Sequence, residues 1–265
     1  MPYIPWTSFG SAPSFLIIGA QKAGTSALFK MLASHPSISA PEEKEHHFFD
    51  LNEAYERGFG EYLKGFPRPR LFRKPPFTFE ATPSYMYFED AIGRINRHLP
   101  TIRLVVILRD PVERAYSAWN MFRNFKNDVK YKHLHDARTF DEAVNDEMAG
   151  RTSLRAHKYL ERGHYAEQLQ RIFATVGRER VLVLKYHEFK RDPAKVLDTL
   201  CLFLGVSPFP VNGHPVGMKA NVHPYSSTID PATRIKLDQY FKPHSMALKQ
   251  LLGQEWELNV TTLNA

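Results

Sequence analysis

The run Arg103-Leu-Val-Val-Ile-Leu108 is apolar without interruption after its first residue and β-branched at Val105, Val106 and Ile107. A strand with one wet face alternates apolar and polar residues; a strand that does not alternate has to be buried on both faces, as in a parallel sheet covered by helices. Other segments of the chain agree with that requirement. Phe15-Leu-Ile-Ile18 is a short apolar run closing at Gly19, and after a loop from Ala20 to Gly24 a helical pattern runs from Thr25 to about Ser34, with Leu28, Met31 and Leu32 apolar. Phe77 to Ala81 and Arg180-Val-Leu-Val-Leu-Lys185 read as further strands. Pro111 suits the first turn of a helix that continues through Val112, Ala115, Tyr116 and Trp119 to about Phe122, and Pro193 opens another that reaches Leu204 and stops at Gly205. Strands alternating with helices predict an α/β fold: a single domain with a central, mainly parallel sheet flanked by helices, whose ligand sites lie at the carboxyl ends of the strands.

A chain of 265 residues with 43% hydrophobic content holds enough apolar material for one sizeable core. The expected division is an N-terminal extension over 1–14 and a domain over 15–258. The formal charge of +7 favours partners that carry phosphate, sulfate or carboxylate. A lone cysteine, Cys201, excludes an intrachain disulfide and sits on the apolar face of the helix opened by Pro193, where it reads as a packed thiol. With no leader-like N-terminus and no apolar run long enough to span a bilayer, a cytoplasmic location is expected. Two basic stretches, Arg57 to Lys74 and Arg123 to Arg138, read either as solvated surface or as the lining of an anionic acceptor cleft; neither belongs to a nucleic-acid reading module.

Chemistry enters at Gly19-Ala-Gln-Lys-Ala-Gly-Thr-Ser26, between a strand and a helix. Small residues let the backbone wrap a phosphate, amides at the helix start point at it, and Lys22 adds a full positive charge. In the nucleoside-triphosphate loop the lysine follows the second glycine; here it precedes Gly24, which counts against a phosphotransferase using ATP and magnesium. A plain strand-to-helix turn would account for Gly24 and Thr25 but not for Lys22. The second constellation is Arg109-Asp-Pro-Val-Glu-Arg-Ala-Tyr-Ser117, at the end of the strongest strand. Arg109 at the strand tip and Ser117 about two turns into the next helix suit a terminal phosphate, since a guanidinium donates two parallel hydrogen bonds. Taken alone, Arg109 reads equally well as half of a salt bridge.

Together, Gln21-Lys-Ala-Gly-Thr-Ser26 and Arg109-Asp-Pro with Ser117 resemble the paired nucleotide motifs of sulfotransferases that use 3′-phosphoadenosine 5′-phosphosulfate (PAPS). Lys44-Glu-His-His-Phe-Phe-Asp50, Glu80-x-Thr-Pro-x-Tyr85, Arg162-Gly-His-Tyr165 and Tyr240-x-x-Pro-His244 resemble segments of the heparan sulfate 3-O- and N-sulfotransferase branch. The resemblance implies a phosphate-loop, nucleotide-kinase-like sulfotransferase fold that transfers the sulfuryl group to a hydroxyl of an anionic or polar acceptor, of carbohydrate, lipid or natural-product type. It places the 5′-phosphosulfate on Lys22, Ala23, Gly24, Thr25, Ser26 and Ala27, and the 3′-phosphate on Arg109 and Ser117. Lys219, Ala220 and Asn221 would add adenosine-phosphate contacts. Lys22 would be catalytic, Glu45 the general base, and His47 its neighbour that orients base or acceptor. Departures are Ala81, where the branch commonly carries lysine, and a late loop that reads Lys219-Ala-Asn-Val-His-Pro224. His46 and His47 have no partner ligand at a recognised spacing, so no metal is expected. The remaining alternative is a non-catalytic module that binds a polyanion through the basic stretches; it leaves Arg109 and Ser117 unexplained.

Overall fold

The computed structural model describes residues 10–68, 77–210, 213, 215 and 228–258. The chain groups into two compact units, one of residues 1–108 and 171–222, the other of residues 109–170 and 223–265. Among the described residues, no helix is long and apolar enough to cross a membrane.

The first unit carries the sheet. Its strands are β1 (Phe15–Gly19), β2 (Ile38–Ser39), β3 (Phe77–Ala81), β4 (Arg103–Leu108) and β5 (Val181–Lys185), in the order β2-β3-β1-β4-β5. Every pairing is parallel, with Phe15 opposite both Phe79 and Arg103, and Leu104 opposite Val181. β1 is buried throughout and β4 is buried beyond Arg103, as their unbroken apolar runs require. Burying each Leu or Ile of these strands contributes about 1.5–3 kcal/mol. α1 (Thr25–Ala33) follows β1 and buries Leu28, Met31 and Leu32. Between β2 and β3 lie α2 (Asn52–Glu56) and α3 (Phe59–Leu63), and α4 (Glu89–His98) leads into β4, burying Ala91, Ile92 and Ile95. The chain ahead of β1 is already packed: Gly10 and Ser11 are buried and the Ser11 amide donates to the Pro67 carbonyl at 2.9 Å.

The second unit is helical. α5 (Pro111–Arg123), α6 (Phe140–Met148) and α10 (Pro231–Leu252) enclose a core of Val112, Tyr116, Trp119, Phe122, Phe140, Val144, Tyr159, Leu237 and Phe241. α7 (Tyr165–Val176) begins in this unit and ends in the first, where α8 (Tyr186–Arg191) and α9 (Pro193–Leu204) follow β5. One local device opens helices in both units: Asp110-Pro111, Asp192-Pro193 and Asp230-Pro231 each place an aspartate at the N-cap, whose carboxylate accepts from an amide of the first turn, and a proline in that first turn, where no amide hydrogen is needed.

Strand and helix limits match the sequence reading closely. The last strand begins at Val181, because Arg180 closes a short 3₁₀ turn and spends its guanidinium on the Val176 and Pro100 carbonyls and on Asn96. Cys201 is fully buried on the apolar face of α9.

Candidate active site

In the first unit the loop after β1 turns on two left-handed residues. Lys22 has φ 67° and Gly24 φ 97°. Gly24 is the N-cap of α1, and no side chain caps that helix. A Cβ at position 24 would lie 2.9 Å from the Tyr186 ring at the start of α8, so glycine is needed for space as well as for backbone angle. The first intrahelical bond runs from the Leu28 amide to the Gly24 carbonyl at 3.0 Å. Helix geometry therefore leaves the amides of Thr25, Ser26 and Ala27 without intrahelical acceptors, at the positive end of the helix dipole. No acidic residue stands in that first turn. Thr25 is buried, while Lys22 and Ser26 are half-buried. The donor set is one suited to a phosphate or sulfate group.

A second cluster forms beside the end of β3. The Ala81 amide donates to the Lys44 carbonyl at 2.9 Å, and the Met86 amide donates to the Ile18 carbonyl at 2.8 Å. Segment 44–50 and the loop after β1 thus both lie at the carboxyl ends of neighbouring parallel strands. The segment is pinned by the Tyr85 hydroxyl, which accepts from the Phe48 and Phe49 amides, and by Arg94, which donates to the Phe49 carbonyl. In it Glu45 pairs with Lys44 on one side and with His47 Nε2 at 3.4 Å on the other. His47 Nδ1 donates to Asp50 at 3.0 Å, and Ser84 donates to the same carboxylate. Burial works against charge on Glu45, yet the His47 hydrogen bond and the Lys44 charge prevail and hold its carboxyl below the usual value. Burial also opposes charge on His47, but Asp50 and Glu45 raise it to about 10. Among the described residues, positive φ outside glycine occurs at Lys22 and at His47, at 51°. Such backbone costs about 1–3 kcal/mol per residue and persists where the surroundings over-determine it, which is characteristic of functional sites.

Behind this cluster Glu80 is fully buried on β3, beside Tyr62 and Tyr85. Burial pushes it up to about 8, so the side chain is a neutral acid at pH 7. Asp50, Ser84, Tyr85 and Glu80 were not assigned roles from sequence. Asp50, Glu80 and Tyr85 stand inside quoted motifs, and only their burial distinguishes them from ordinary polar residues.

In the second unit Arg109 forms an ion pair with Glu113 at 2.8 Å, and its carbonyl accepts from the Tyr165 hydroxyl at 2.9 Å. Ser117 is buried in α5. The sequence thus places Lys22 to Ala27, Glu45 and His47 in one unit and Arg109 and Ser117 in the other. Lys219, Ala220 and Asn221 lie outside the described residues.

A family model described as "Sulfotransferase domain" matches residues 12–212. The human protein named bifunctional heparan sulfate N-deacetylase/N-sulfotransferase 3 is 34% identical over 203 residues, which is 74% of this chain and 22% of that protein. The mouse protein with the same name numbered 1 is 32% identical over 201 residues, with the same coverage. The chain therefore spans about a fifth of the length of these curated relatives. A crystal structure titled as a sulfotransferase from Alicyclobacillus acidocaldarius superposes with a TM-score of 0.72 and 29% identity, covering 91% of this chain and 96% of that one.

Proposed function

The chain belongs to the sulfotransferase family, enzymes that move a sulfuryl group from PAPS to an acceptor, and we propose that here the loop after β1 holds the 5′-phosphosulfate while Glu45 takes the proton of an acceptor hydroxyl. The observation that carries this reading is the coincidence of uncommon backbone and chemistry: Lys22 and His47 combine positive φ with the positions expected to face the reacting group. When bound, PAPS supplies an activated sulfuryl group on a phosphate leaving oxygen.

The chain's own residues supply positioning and charge. The amides of Thr25, Ser26 and Ala27, with the hydroxyls of Thr25 and Ser26, fix the phosphosulfate, and Lys22 neutralises charge as it grows on the leaving oxygen. Glu45 is ionised and therefore able to accept a proton. His47, protonated and anchored by Asp50, holds the Glu45 carboxylate in place and adds positive charge beside it. Arg109, Ser117 and the 219–221 segment are assigned to the 3′-phosphate side of the nucleotide on the family pattern, within a sulfotransferase domain spanning 15–258. The acceptor is a polar or anionic hydroxyl compound. The N-sulfotransferase names of the curated relatives support a second reading, an amine acceptor.

Calorimetric titration tests the donor assignment: 3′-phosphoadenosine 5′-phosphate (PAP) should bind at micromolar levels without magnesium, and ATP far more weakly. Equal affinity for the two nucleotides, or a strict need for magnesium, would return the loop to the phosphotransferase class. Radiolabelled PAPS offered with hydroxyl and amine saccharides then separates the two acceptor readings.

A further inference from the structure

Within the second unit, His164, Glu167 and His244 bring one potential ligand atom each to within 4.8 Å of one another. His164 immediately precedes α7, Glu167 stands in that helix's first turn, and His244 follows Pro243 on α10. The two imidazoles stack with centroids 3.8 Å apart and planes 5° from parallel. Both turn Nδ1 toward the carboxylate between them: His164 Nδ1 is 3.6 Å from Glu167 Oε2, and His244 Nδ1 is 3.3 Å from Glu167 Oε1. Ligands at about 2.0–2.2 Å from a tetrahedral ion stand roughly 3.3–3.5 Å from each other, close to these nitrogen-to-carboxylate separations, and one imidazole has to turn out of the parallel stack for both Nδ1 lone pairs to meet one ion.

Three further features make the cluster more than a meeting of polar side chains. The outer nitrogen of His164, Nε2, is 2.9 Å from the Tyr240 hydroxyl, an arrangement that leaves Nδ1 free to ligate when Nε2 carries the proton. Gly163 lets this loop approach α10, since a Cβ there would lie 2.7 Å from the Phe241 ring. The side chains of His164 and His244 are largely covered, whereas Glu167 is open to solvent and leaves a face for water or a fourth ligand.

We propose that His164, Glu167 and His244 form a binding site for a divalent transition-metal ion of the zinc class, a two-histidine, one-carboxylate set with an open position. The ion would clamp the start of α7 to α10. Tyr165, next to His164, holds the Arg109 carbonyl, so the clamp braces a residue assigned above to nucleotide binding. The sequence reading weighed a metal only at His46 and His47; His164 and His244 stand in two separate segments quoted for their family resemblance.

The tag-free chain, stripped with chelator, would be titrated with zinc chloride by calorimetry and with cobalt(II) by visible absorption. One ion per chain should bind, and cobalt should give the intense d–d bands of a low-coordinate site. Tyr240→Phe should weaken binding about 10–100-fold, the usual cost of an outer-shell partner, and His164→Gln, Glu167→Gln and His244→Asn at least as much, while exposed His133→Ala changes nothing. Circular dichroism checks each fold. Where a ligand variant does not fold, X-ray absorption of the zinc-loaded wild type decides, with two imidazoles and one carboxylate expected. Failure of the wild type to bind one ion, affinity unchanged in the folded ligand variants, or a different ligand count would overturn the assignment.

Discussion

His47 Nδ1 lies 3.0 Å from an Asp50 carboxylate whose side chain is only 1% exposed. Under the proposed function, the proximity favours Glu45 over His47 as the base. Held charged up to about 10 against the opposing effect of burial, His47 carries protons on both nitrogens at pH 7 and has no lone pair to offer an acceptor. Glu45 is ionised under the same conditions and has one to give.

Glu45→Gln keeps the shape of the side chain and deletes the proposed base. Turnover should fall by about 10²–10⁴, with PAP affinity close to wild type, because the phosphate loop is untouched. His47→Ala should cost less. Steady-state kinetics of the two variants rank them, and a larger loss from His47→Ala would reverse the roles.

The titration of His47 gives a pH signature. Its folded value lies above its unfolded value, so the stability it contributes is complete below about 6.5 and is lost as pH rises toward about 10. Thermal melts of the wild type should decline across that window more than those of His47→Asn. An NMR titration should find His47 still protonated at pH 8, and Asp50→Asn should bring its midpoint down.

Glu80 predicts the same direction for a different reason. Burial raises its folded value to about 8, so the folded chain keeps a proton that the unfolded chain has released from about 4.5 upward. Stability therefore drops between those values and then levels off. Glu80→Gln removes the titrating group, and its melting temperature relative to wild type should rise from pH 5 to pH 8. A constant difference over that range would mean that Glu80 is ionised in the folded protein.

Gly24→Ala meets two obstacles, the φ of 97° and the Tyr186 ring. The backbone alone costs about 1–2 kcal/mol. The expected outcome is a lower denaturation midpoint together with weakened PAP binding. Adding Tyr186→Ala should recover only the steric part.

Lys22 and Arg109 should separate kinetically. Lys22→Ala removes charge from the reacting group and should lower kcat steeply, whereas Arg109→Ala should act mainly through weaker donor binding. Near-normal turnover in Lys22→Ala would reduce the loop to a structural turn.

Much of this architecture is written locally. β1, β3, β4 and α9 follow from apolar runs and from Pro and Gly at their ends, and the observed limits of β3 and β4 are those read from the sequence. β2 escapes because Ile38–Ser39 is too short to set a period, and it forms only by pairing with β3. The turn at Lys22 and Gly24 was legible from residue type and order, whereas Glu45 was singled out only through the family resemblance. What was not legible depends on contacts between distant segments: the left-handed backbone at His47, the burial that neutralises Glu80, and the convergence of His164 with His244.

The sheet order carries a consequence for synthesis. β4 pairs with β1 on one side and with β5 on the other, and residues 109–180 separate β4 from β5 in the chain. As the nascent chain emerges, β1, β3 and β4 can assemble long before β5 exists, leaving the free edge of a strand that is apolar beyond Arg103 open during that interval. Long-range parallel pairing is slow, and an uncovered edge recruits other chains. Truncation before Val181, or a stall in translation across the α5 to α7 region, should therefore yield aggregate rather than a stable fragment, and the yield of folded enzyme should depend on how quickly β5 closes that edge.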